Sequence, residues 1–252
     1  MRQVANSEHP YQKPALLSVA QELHSYLCTL TTENITSSMK LSEKKALQTY
    51  GLIHDWSTTS SRQLPAIDAF LGDIYSGLQV QTLSDDDRKA ANDSLYILSG
   101  LYGALRALDS IYPYRLEMGY KFPNSPYKNL YTFWGSRIAK QLLSGRTIIN
   151  VSAVEYTKAV FPHLDPSIKI ISPKFLTIDP KSGEPKFIVV HAKIARGAFA
   201  HWLITNSIDT EDKLQTFTEL GYEYSNVMSS PLEPVFICRT FGGLGLSVRL
   251  SS

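Results

Sequence analysis

The segment LYGALRALDSIYPYRLEMGYKF, residues 101–122, decides how the fold is interpreted, because its pattern changes half-way. Apolar residues recur at helical spacing in its first half and alternate with polar residues in its second half. Side chains two positions apart share one face of a strand, so the alternation predicts a strand over residues 112–122. One face would carry Tyr114, Leu116, Met118 and Tyr120, and the other Arg115, Glu117 and Lys121.

The residues before this strand predict a helix from Ser84 to Ile111. Ser84 and the three aspartates after it are typical of a helix start. An apolar stripe is formed by Leu98, Leu101, Leu105 and Leu108. Gly100 and Gly103 fall on a second stripe of small residues, although an interior glycine costs about 1 kcal/mol relative to alanine. Two such glycines indicate that another backbone packs closely against this element.

The remaining pattern predicts helices first and a mixture of strands and helices afterwards. Helices are expected over residues 16–30, 33–55 (two short ones, the second capped by Ser42), 65–79 with a break at Gly72 or Gly77, 131–143, 152–161, 194–205 and 210–220. Strands are expected over 147–152, 168–172, 175–190 (a hairpin) and 234–241. The order favours a mixed α/β (α+β) fold in one domain, residues 15–239, between a loose arm at 1–14 and a tail at 240–252.

Composition excludes several classes of protein. The net charge of the 252 residues is +2, so binding to nucleic acid would need a local basic patch. Cys28 and Cys238 lie far apart, which excludes a disulfide framework and a thiolate zinc site. The sequence has no secretory signal and no apolar run of the ~18 residues that a membrane span needs, which predicts a cytoplasmic protein without a membrane partner. Six isolated histidines and the absence of nucleotide-binding motifs predict neither a metal site nor a cofactor.

Two groups of charged residues are candidates for a functional site. Arg115, Glu117 and Lys121 share one face of the predicted strand, with Arg106 and Asp109 just upstream. They form either an ordinary surface ion pair or an oriented pair in a cleft, with Arg115 for phosphate and Glu117 for a base edge or a proton. Lys193 and Arg196 lie beside Gly197 near a predicted helix start, where they are either solvated or attract an anion.

Several stretches resemble the YaaA family of peroxide stress proteins. They are FLGDIYSGL (70–78), LSGLYGALRALDSIYPYRLEMG (98–119), LYTFWG (130–135), NVSAVEY (150–156), KIARG (193–197) and ELGYEYS (219–225). The resemblance covers residues 15–237 in colinear order, and the usual opening of the family, of the form ISPAKT, is not found.

This resemblance implies a cytoplasmic protein that keeps unincorporated iron low during peroxide stress and so limits Fenton damage. It also implies a mixed α/β fold with a helix-hairpin-helix element and a positive cleft that binds double-stranded DNA. The helix pair at 33–55 is the candidate for that element, and the segment with Gly100 and Gly103 is the alternative. The candidates for anion or DNA binding are Lys40, Lys44, Lys45, Tyr102, Arg106, Arg115, Lys193 and Arg196. The candidates for a pocket are Asp73, Tyr75, Asn150, Ser152, Glu155 and Tyr156.

Three functions remain open from the sequence. The first is a DNA-binding stress protein, in which phosphate contacts dominate the affinity. The second is an enzyme acting on a nucleotide or a nucleic-acid base, with Glu117 as general acid/base and Arg115 and Lys193 as anion clamps. The third is direct iron sequestration, for which no local cluster of His and carboxylates is visible. The first two predict that Arg115, Glu117, Lys193 and Arg196 meet around one hollow, and the oligomeric state stays open.

Overall fold

A computed structural model describes residues 1–3, 10–59, 61–121, 123, 125–142 and 147–247. Its α-helices in these ranges are α1 (Leu17–Leu27), α2 (Thr32–Met39), α3 (Glu43–His54), α4 (Ala66–Ala69), α5 (Asp73–Leu78), α6 (Asp85–Ser94), α7 (Leu130–Trp134), α8 (Val154–Val160) and α9 (Val189–Thr205). Its strands are β1 (Leu64–Pro65), β2 (Tyr96–Ser99), β3 (Gly103–Arg106), β4 (Ser110–Ile111), β5 (Ile148–Ile149), β6 (Ile170–Ile171), β7 (Lys174–Ile178), β8 (Pro185–Lys186), β9 (Tyr222–Tyr224) and β10 (Val235–Cys238). The predicted mixed α/β fold with a helical N-terminal part is confirmed.

The chain forms two compact units, each built from separate stretches of sequence. The first unit comprises Met1–Phe70, Asn92–Leu143 and Ala153–Asp165, and the second comprises Leu71–Ala91, Ser144–Ser152 and Pro166–Ser252. The predicted domain limits at residues 15 and 239 stay predictions. Within the described residues, no helix combines the length and the apolar character that crossing a membrane requires.

Helices α1, α2 and α3 confirm the amphipathic pattern of the N-terminal part. Their buried faces carry Leu23 of α1, Ile35 of α2 and Ala46 of α3. Helix α2 begins with a capping box, because Thr31 and Asn34 bond each other's backbone N–H groups through their side chains. Lys40 ends α2 in the left-handed conformation, with φ of 51°. The two short helices predicted within 33–55 are therefore present and joined by a tight turn.

The predicted helix over residues 84–111 is wrong beyond Ser94. Strands β2 and β3 follow as an antiparallel hairpin, in which Ser99 pairs with Gly103 across a three-residue loop. Gly103, the first residue of β3 after this loop, has φ of 73°, a left-handed conformation that favours glycine. The expected close approach is real at Gly100, where an added Cβ would lie 3.0 Å from the carbonyl carbon of Leu116 and closer still to its oxygen. The glycines therefore serve a hairpin and not a helix.

The predicted strand over residues 112–122 is also wrong, although its alternation is confirmed. Residues 112–117 have no strand pairing, and Phe122 lies outside the described residues. Tyr114, Leu116 and Met118 are nevertheless buried, whereas Arg115 and Glu117 are exposed. Alternation of apolar and polar residues indicates which side chains face the core. An extended segment buries alternate side chains in this way even when no neighbouring strand is hydrogen-bonded to it.

The second unit is organised around a four-stranded sheet in the order β8-β7-β10-β9, in which β7 and β10 are parallel. Its aromatic core contains Phe175, Phe199, Phe217 and Phe236, with ring centroids 4.9–6.0 Å apart. Helix α9 packs against β7 and crosses α5. Gly77 and Gly197 meet at this crossing, where a Cβ added to Gly197 would lie 2.6 Å from the backbone nitrogen of Leu78 and closer still to the carbonyl oxygen of Ile74.

Several smaller predictions differ from the structure. Helix α9 begins at Val189, so the end of the predicted hairpin is helical, and the predicted helix over 210–220 is two short 3₁₀ turns (Asp212–Thr216 and Glu219–Gly221). The helix predicted over 152–161 is shorter, because α8 begins at Val154 with Ala153 as its N-cap. The predicted helix over 131–143 is α7 followed by a 3₁₀ turn (Ala139–Gln141), and Leu143 lies outside the described residues.

Both chain ends are packed where the structure describes them. In the arm, Gln12 bonds Asn92 and Asp109 through its side-chain amide and Ser110 through its backbone. In the tail, Phe241 stacks on His191 with ring centroids 4.0 Å apart. Residues 4–9 and 248–252 lie outside the described residues.

Candidate nucleic-acid interface

The turn between α2 and α3 presents three lysines to solvent. Lys40, Lys44 and Lys45 are all exposed, and none of their side chains has a hydrogen bond or ion pair to another described residue. Ser42 is the N-cap of α3, but its side chain makes no capping hydrogen bond. The first backbone N–H groups of α3 are therefore available beside three positive charges, an arrangement that attracts phosphate. We call this surface, Lys40 to Lys45, the lysine turn.

A second polar group lies on the extended segment after β4. Arg115 and Glu117 both lie near the hydroxyl of the half-buried Tyr120. Burial raises the pKa of Tyr120, and the neighbouring Glu117 charge raises that pKa further. The raised pKa keeps the phenol protonated at neutral pH, with its hydroxyl near both charged groups.

A shallow depression lies beside Arg115 in the first unit. It is lined mainly by aliphatic and aromatic side chains, among them His24, Trp56 and Tyr114. The rings of His24 and Trp56 pack with centroids 4.4 Å apart. The space between these groups holds about one water molecule, so this depression does not accommodate a nucleobase.

The profile described as "Peroxide stress protein YaaA" matches residues 1–228. The chain belongs to the YaaA family of peroxide stress proteins. Relatives include a UPF0246 protein of Salinispora tropica, 51% identical over 236 residues that make up 94% of this chain and 89% of the relative. A UPF0246 protein of Marinomonas sp. is 40% identical over 90% of this chain and 88% of the relative, and one of Shewanella baltica (strain OS195) is 41% identical over 90% of each.

Two of the family-derived candidates for DNA binding are engaged within the protein. The side chain of Tyr102 is only 1% exposed, and its hydroxyl accepts hydrogen bonds from Trp56 Nε1 at 2.8 Å and from the backbone N–H of Tyr112 at 3.1 Å. Its burial argues against the predicted DNA contact. Arg106 lies over the ring of Tyr96 at 4.0 Å and donates to the carbonyl oxygen of Asp93.

We expect Tyr102→Phe to lower the free energy of unfolding by about 2–4 kcal/mol, because the buried N–H of Tyr112 and the indole N–H of the half-buried Trp56 lose their acceptor. Urea denaturation would measure this loss. Tyr127→Phe is the control, since it removes only an exposed phenol–carboxylate hydrogen bond to Glu22 and should cost under about 1 kcal/mol. Equal losses in the two variants would contradict the structural role of Tyr102.

The remaining predicted site residues are divided between the two units. Arg115, Glu117, Glu155 and Tyr156 belong to the first unit. Asp73, Tyr75, Asn150, Ser152, Lys193 and Arg196 belong to the second. The prediction that Arg115 and Glu117 meet Lys193 and Arg196 stays a prediction. The predicted helix start at Lys193 is wrong, because this residue and Arg196 lie one and two turns inside α9.

Most of the predicted pocket residues are bonded to other parts of the protein. Asp73 is 4% exposed and accepts a hydrogen bond from Ser247 at 3.3 Å. Burial raises the pKa of Tyr75 strongly. The Asn150 side-chain oxygen accepts from the backbone and the hydroxyl of Ser152, and its nitrogen donates to Ser172. These contacts explain the polar residues structurally, without a ligand.

Glu155 lies near the extended segment that carries Glu117. A Cβ added to Gly119 would lie 3.5 Å from its carboxylate oxygen, and its charge raises the pKa of Tyr131, which burial raises more. The part of the chain that the structure describes contains no group of three or more His, Cys, Asp and Glu side chains suited to a metal ion. Burial raises the pKa of both Cys28 and Cys238, so neither thiol is activated as a nucleophile.

Sequence reasoning missed Tyr120 as a partner of the charged pair. Its even position assigned it to the apolar face together with Tyr114 and Met118. The signal was the hydroxyl itself, because a half-buried tyrosine usually finds a polar partner, and the two charged side chains on the segment were within reach.

Proposed function

We propose that this protein binds double-stranded DNA through the lysine turn and thereby helps to limit free iron and Fenton damage during peroxide stress. The observation that carries the proposal is the set of three exposed lysines, without partners among the described residues, around the start of α3. Membership of the YaaA family supplies the link to peroxide stress. The binding itself is argued from charge and geometry.

The lysine turn suits the phosphate backbone better than the base edges of DNA. Lysine ammonium groups act as mobile point charges, and the uncapped N–H groups of α3 are fixed donors. Both recognise phosphate irrespective of the base sequence. Glu43 is the one carboxylate within residues 40–45, so this surface carries a local charge of +2, whereas the whole chain also carries only +2. The positive charge is thus concentrated where two helix ends meet.

A salt titration tests this proposal directly. A fluorescein-labelled duplex would be titrated with the protein from about 0.05 to 0.3 M salt, with anisotropy as the readout. Three phosphate contacts predict that log K falls with log salt with a slope of about −2.7. A duplex that stays unbound even at the lowest salt would contradict the proposal.

The effect on iron needs a cellular measurement. Cells that lack the gene would be exposed to hydrogen peroxide, and chelatable iron and DNA lesions would be compared after complementation with wild type or with a variant lacking the three lysines. We expect only wild type to restore both quantities. If the lysine-deficient variant restores both as well, then iron control does not depend on DNA contact at this surface.

The proximity of Arg115 and Glu117 to the Tyr120 hydroxyl favours a second candidate, an enzyme that acts on a nucleotide or a base. Glu117 would serve as general acid/base, and Arg115 would hold an anion in place. The neighbouring depression has space for only about one water molecule, so it does not itself accommodate a base. Product analysis by chromatography, with Glu117→Gln as the comparison, tests this candidate. Any turnover that Glu117→Gln abolishes would favour the enzyme.

A further inference from the structure

Helix α9 carries two cations at a point where one of its faces passes from solvent into the core. Lys193 and Arg196 are three residues apart and therefore neighbours on the helix surface. They lie on a stripe of α9 that runs from Val189 to Ala200. Val189 is 51% exposed and Ala200 is 8% exposed. Both cations lie between these positions and are half-buried. A ligand approaching from the Val189 end would meet them at the edge of the core.

Neither cation has a protein partner in the described part of the chain. No hydrogen bond or ion pair joins the side chain of Lys193 or Arg196 to another described residue. Other lysines of the second unit are paired with carboxylates, among them Lys169 with Glu211, Lys174 with Glu233 and Lys213 with Asp209. The side chains of Lys181 and Arg239 in the same unit are also unpaired among the described residues but are exposed, so the pair on α9 differs by combining half-burial with the lack of a partner.

The burial of Arg196 reaches its charged group. Long basic side chains often bury only their aliphatic stems and keep the charge in water, in which case half-burial would mean little. Arg196 is half-buried, and burial lowers its pKa, as expected for a guanidinium that has lost part of its hydration. A charge that has lost water without gaining a partner is unfavourable in the folded protein, and a bound anion would reverse that penalty.

We propose that Lys193 and Arg196 form a binding site for a single phosphate group of the kind carried by a phosphate monoester. A guanidinium offers two parallel donors that match two phosphate oxygens, and an ammonium adds a second charge. A monoester carries a charge of about −1.5 to −2 at neutral pH, which balances both cations, whereas a carboxylate balances only one. This site is independent of the lysine turn, and a failure of DNA binding there leaves it unaffected.

The helix crossing explains how the two cations are held in place. Gly197 follows Arg196 directly and contacts the backbone of α5, and Gly77 of α5 contacts α9 in return. These backbone contacts leave α9 no freedom to rotate or slide. The Cα atoms of both cations therefore keep their places relative to α5, which lowers part of the entropic cost of binding, while their side chains are ordered by the ligand.

Thermal unfolding in phosphate tests the proposal. Wild type, Arg196→Met, Lys193→Met and the control Lys181→Met would be melted in inorganic phosphate and in sodium chloride of equal ionic strength. At a hundredfold excess of phosphate over its Kd, we expect Tm to rise by about 5 °C in wild type and in the Lys181 variant. Phosphate also stabilises proteins generally, and that part of the rise should persist in all variants. Without phosphate, Arg196→Met should melt no lower than wild type, because it removes an uncompensated charge.

Titration calorimetry with inorganic phosphate, adenosine 5′-monophosphate and a short duplex separates the possible sources of the phosphate group. We expect Arg196→Met to weaken phosphate binding at least about tenfold, and Arg196→Lys to weaken it less. Loss of duplex binding in the same variant would contradict a monoester site, because the backbone phosphates of DNA are diesters with one charge each, and unchanged duplex binding would support a small-molecule monoester. An equal rise in Tm for wild type and Arg196→Met, or no measurable phosphate binding to wild type, would overturn the proposal. Lys193→Met decides the question if Arg196→Met does not fold.

Discussion

Gly197→Ala should lower the free energy of unfolding by more than about 4 kcal/mol and Tm by about 10 °C or more. The new methyl group would lie 2.6 Å from the backbone nitrogen of Leu78 and still closer to the carbonyl oxygen of Ile74. Both neighbours are backbone atoms of α5, which cannot change rotamer to make room. Helices α5 and α9 would have to separate, and the packing of both helices would loosen. Calorimetry would measure Tm, and hydrogen exchange would show whether the α9 amides lose protection first.

Two companion variants make this test specific. Gly51→Ala changes a helical glycine whose added Cβ has nothing within 4 Å, so it should stabilise the protein by about 0.5–1 kcal/mol. Gly77→Ala acts at the same crossing and should be nearly as damaging as Gly197→Ala. The double variant should then cost less than the sum of the two, because the helices need to separate only once. A loss at Gly197 below about 1 kcal/mol would contradict the close crossing.

The sequence predicts the elements whose signals are local. Helices α1 to α3 combine an apolar stripe with a turn or a cap, and Thr31 with Asn34 marks the start of α2. The hairpin β2–β3 could not be recognised in the same way. Gly100 and Gly103 are three residues apart, a spacing that fits a helix stripe and a three-residue hairpin loop equally well. The choice is made by distant residues, because Trp134 packs on Gly103 and bonds the carbonyl oxygen of Gly100.

The residues of the candidate sites also differ in whether the sequence alone could predict their environment. The exposed lysines of the α2–α3 turn follow from helix periodicity, since Lys44 lies opposite the buried Ala46, Thr49 and Ile53. The partial burial of Arg196 does not follow from the sequence, because the hydration of a guanidinium depends on which elements pack around it. The same holds for Tyr102, whose hydroxyl is engaged by a tryptophan 46 residues away in sequence.

Replacing Lys40, Lys44 and Lys45 together by glutamine should nearly abolish DNA binding at low salt. Each lost phosphate contact removes about 0.9 from the slope of log K against log salt, so the slope should fall by about 2.7. By the same relation, each contact contributes about tenfold to the affinity near 0.05 M salt. Anisotropy titrations of the triple variant and of each single variant would measure both quantities.

Two controls separate phosphate contact from a general change in charge. Lys158→Gln removes an exposed lysine from α8 and should leave the affinity nearly unchanged. Glu43→Gln removes the only carboxylate within the lysine turn and should strengthen binding, the opposite sign from its neighbours. Circular dichroism would confirm that the folds are equal, since all of these side chains are exposed. If Lys158→Gln weakens binding as much as Lys44→Gln does, then the duplex responds to net charge alone, and the lysine turn is not its binding site.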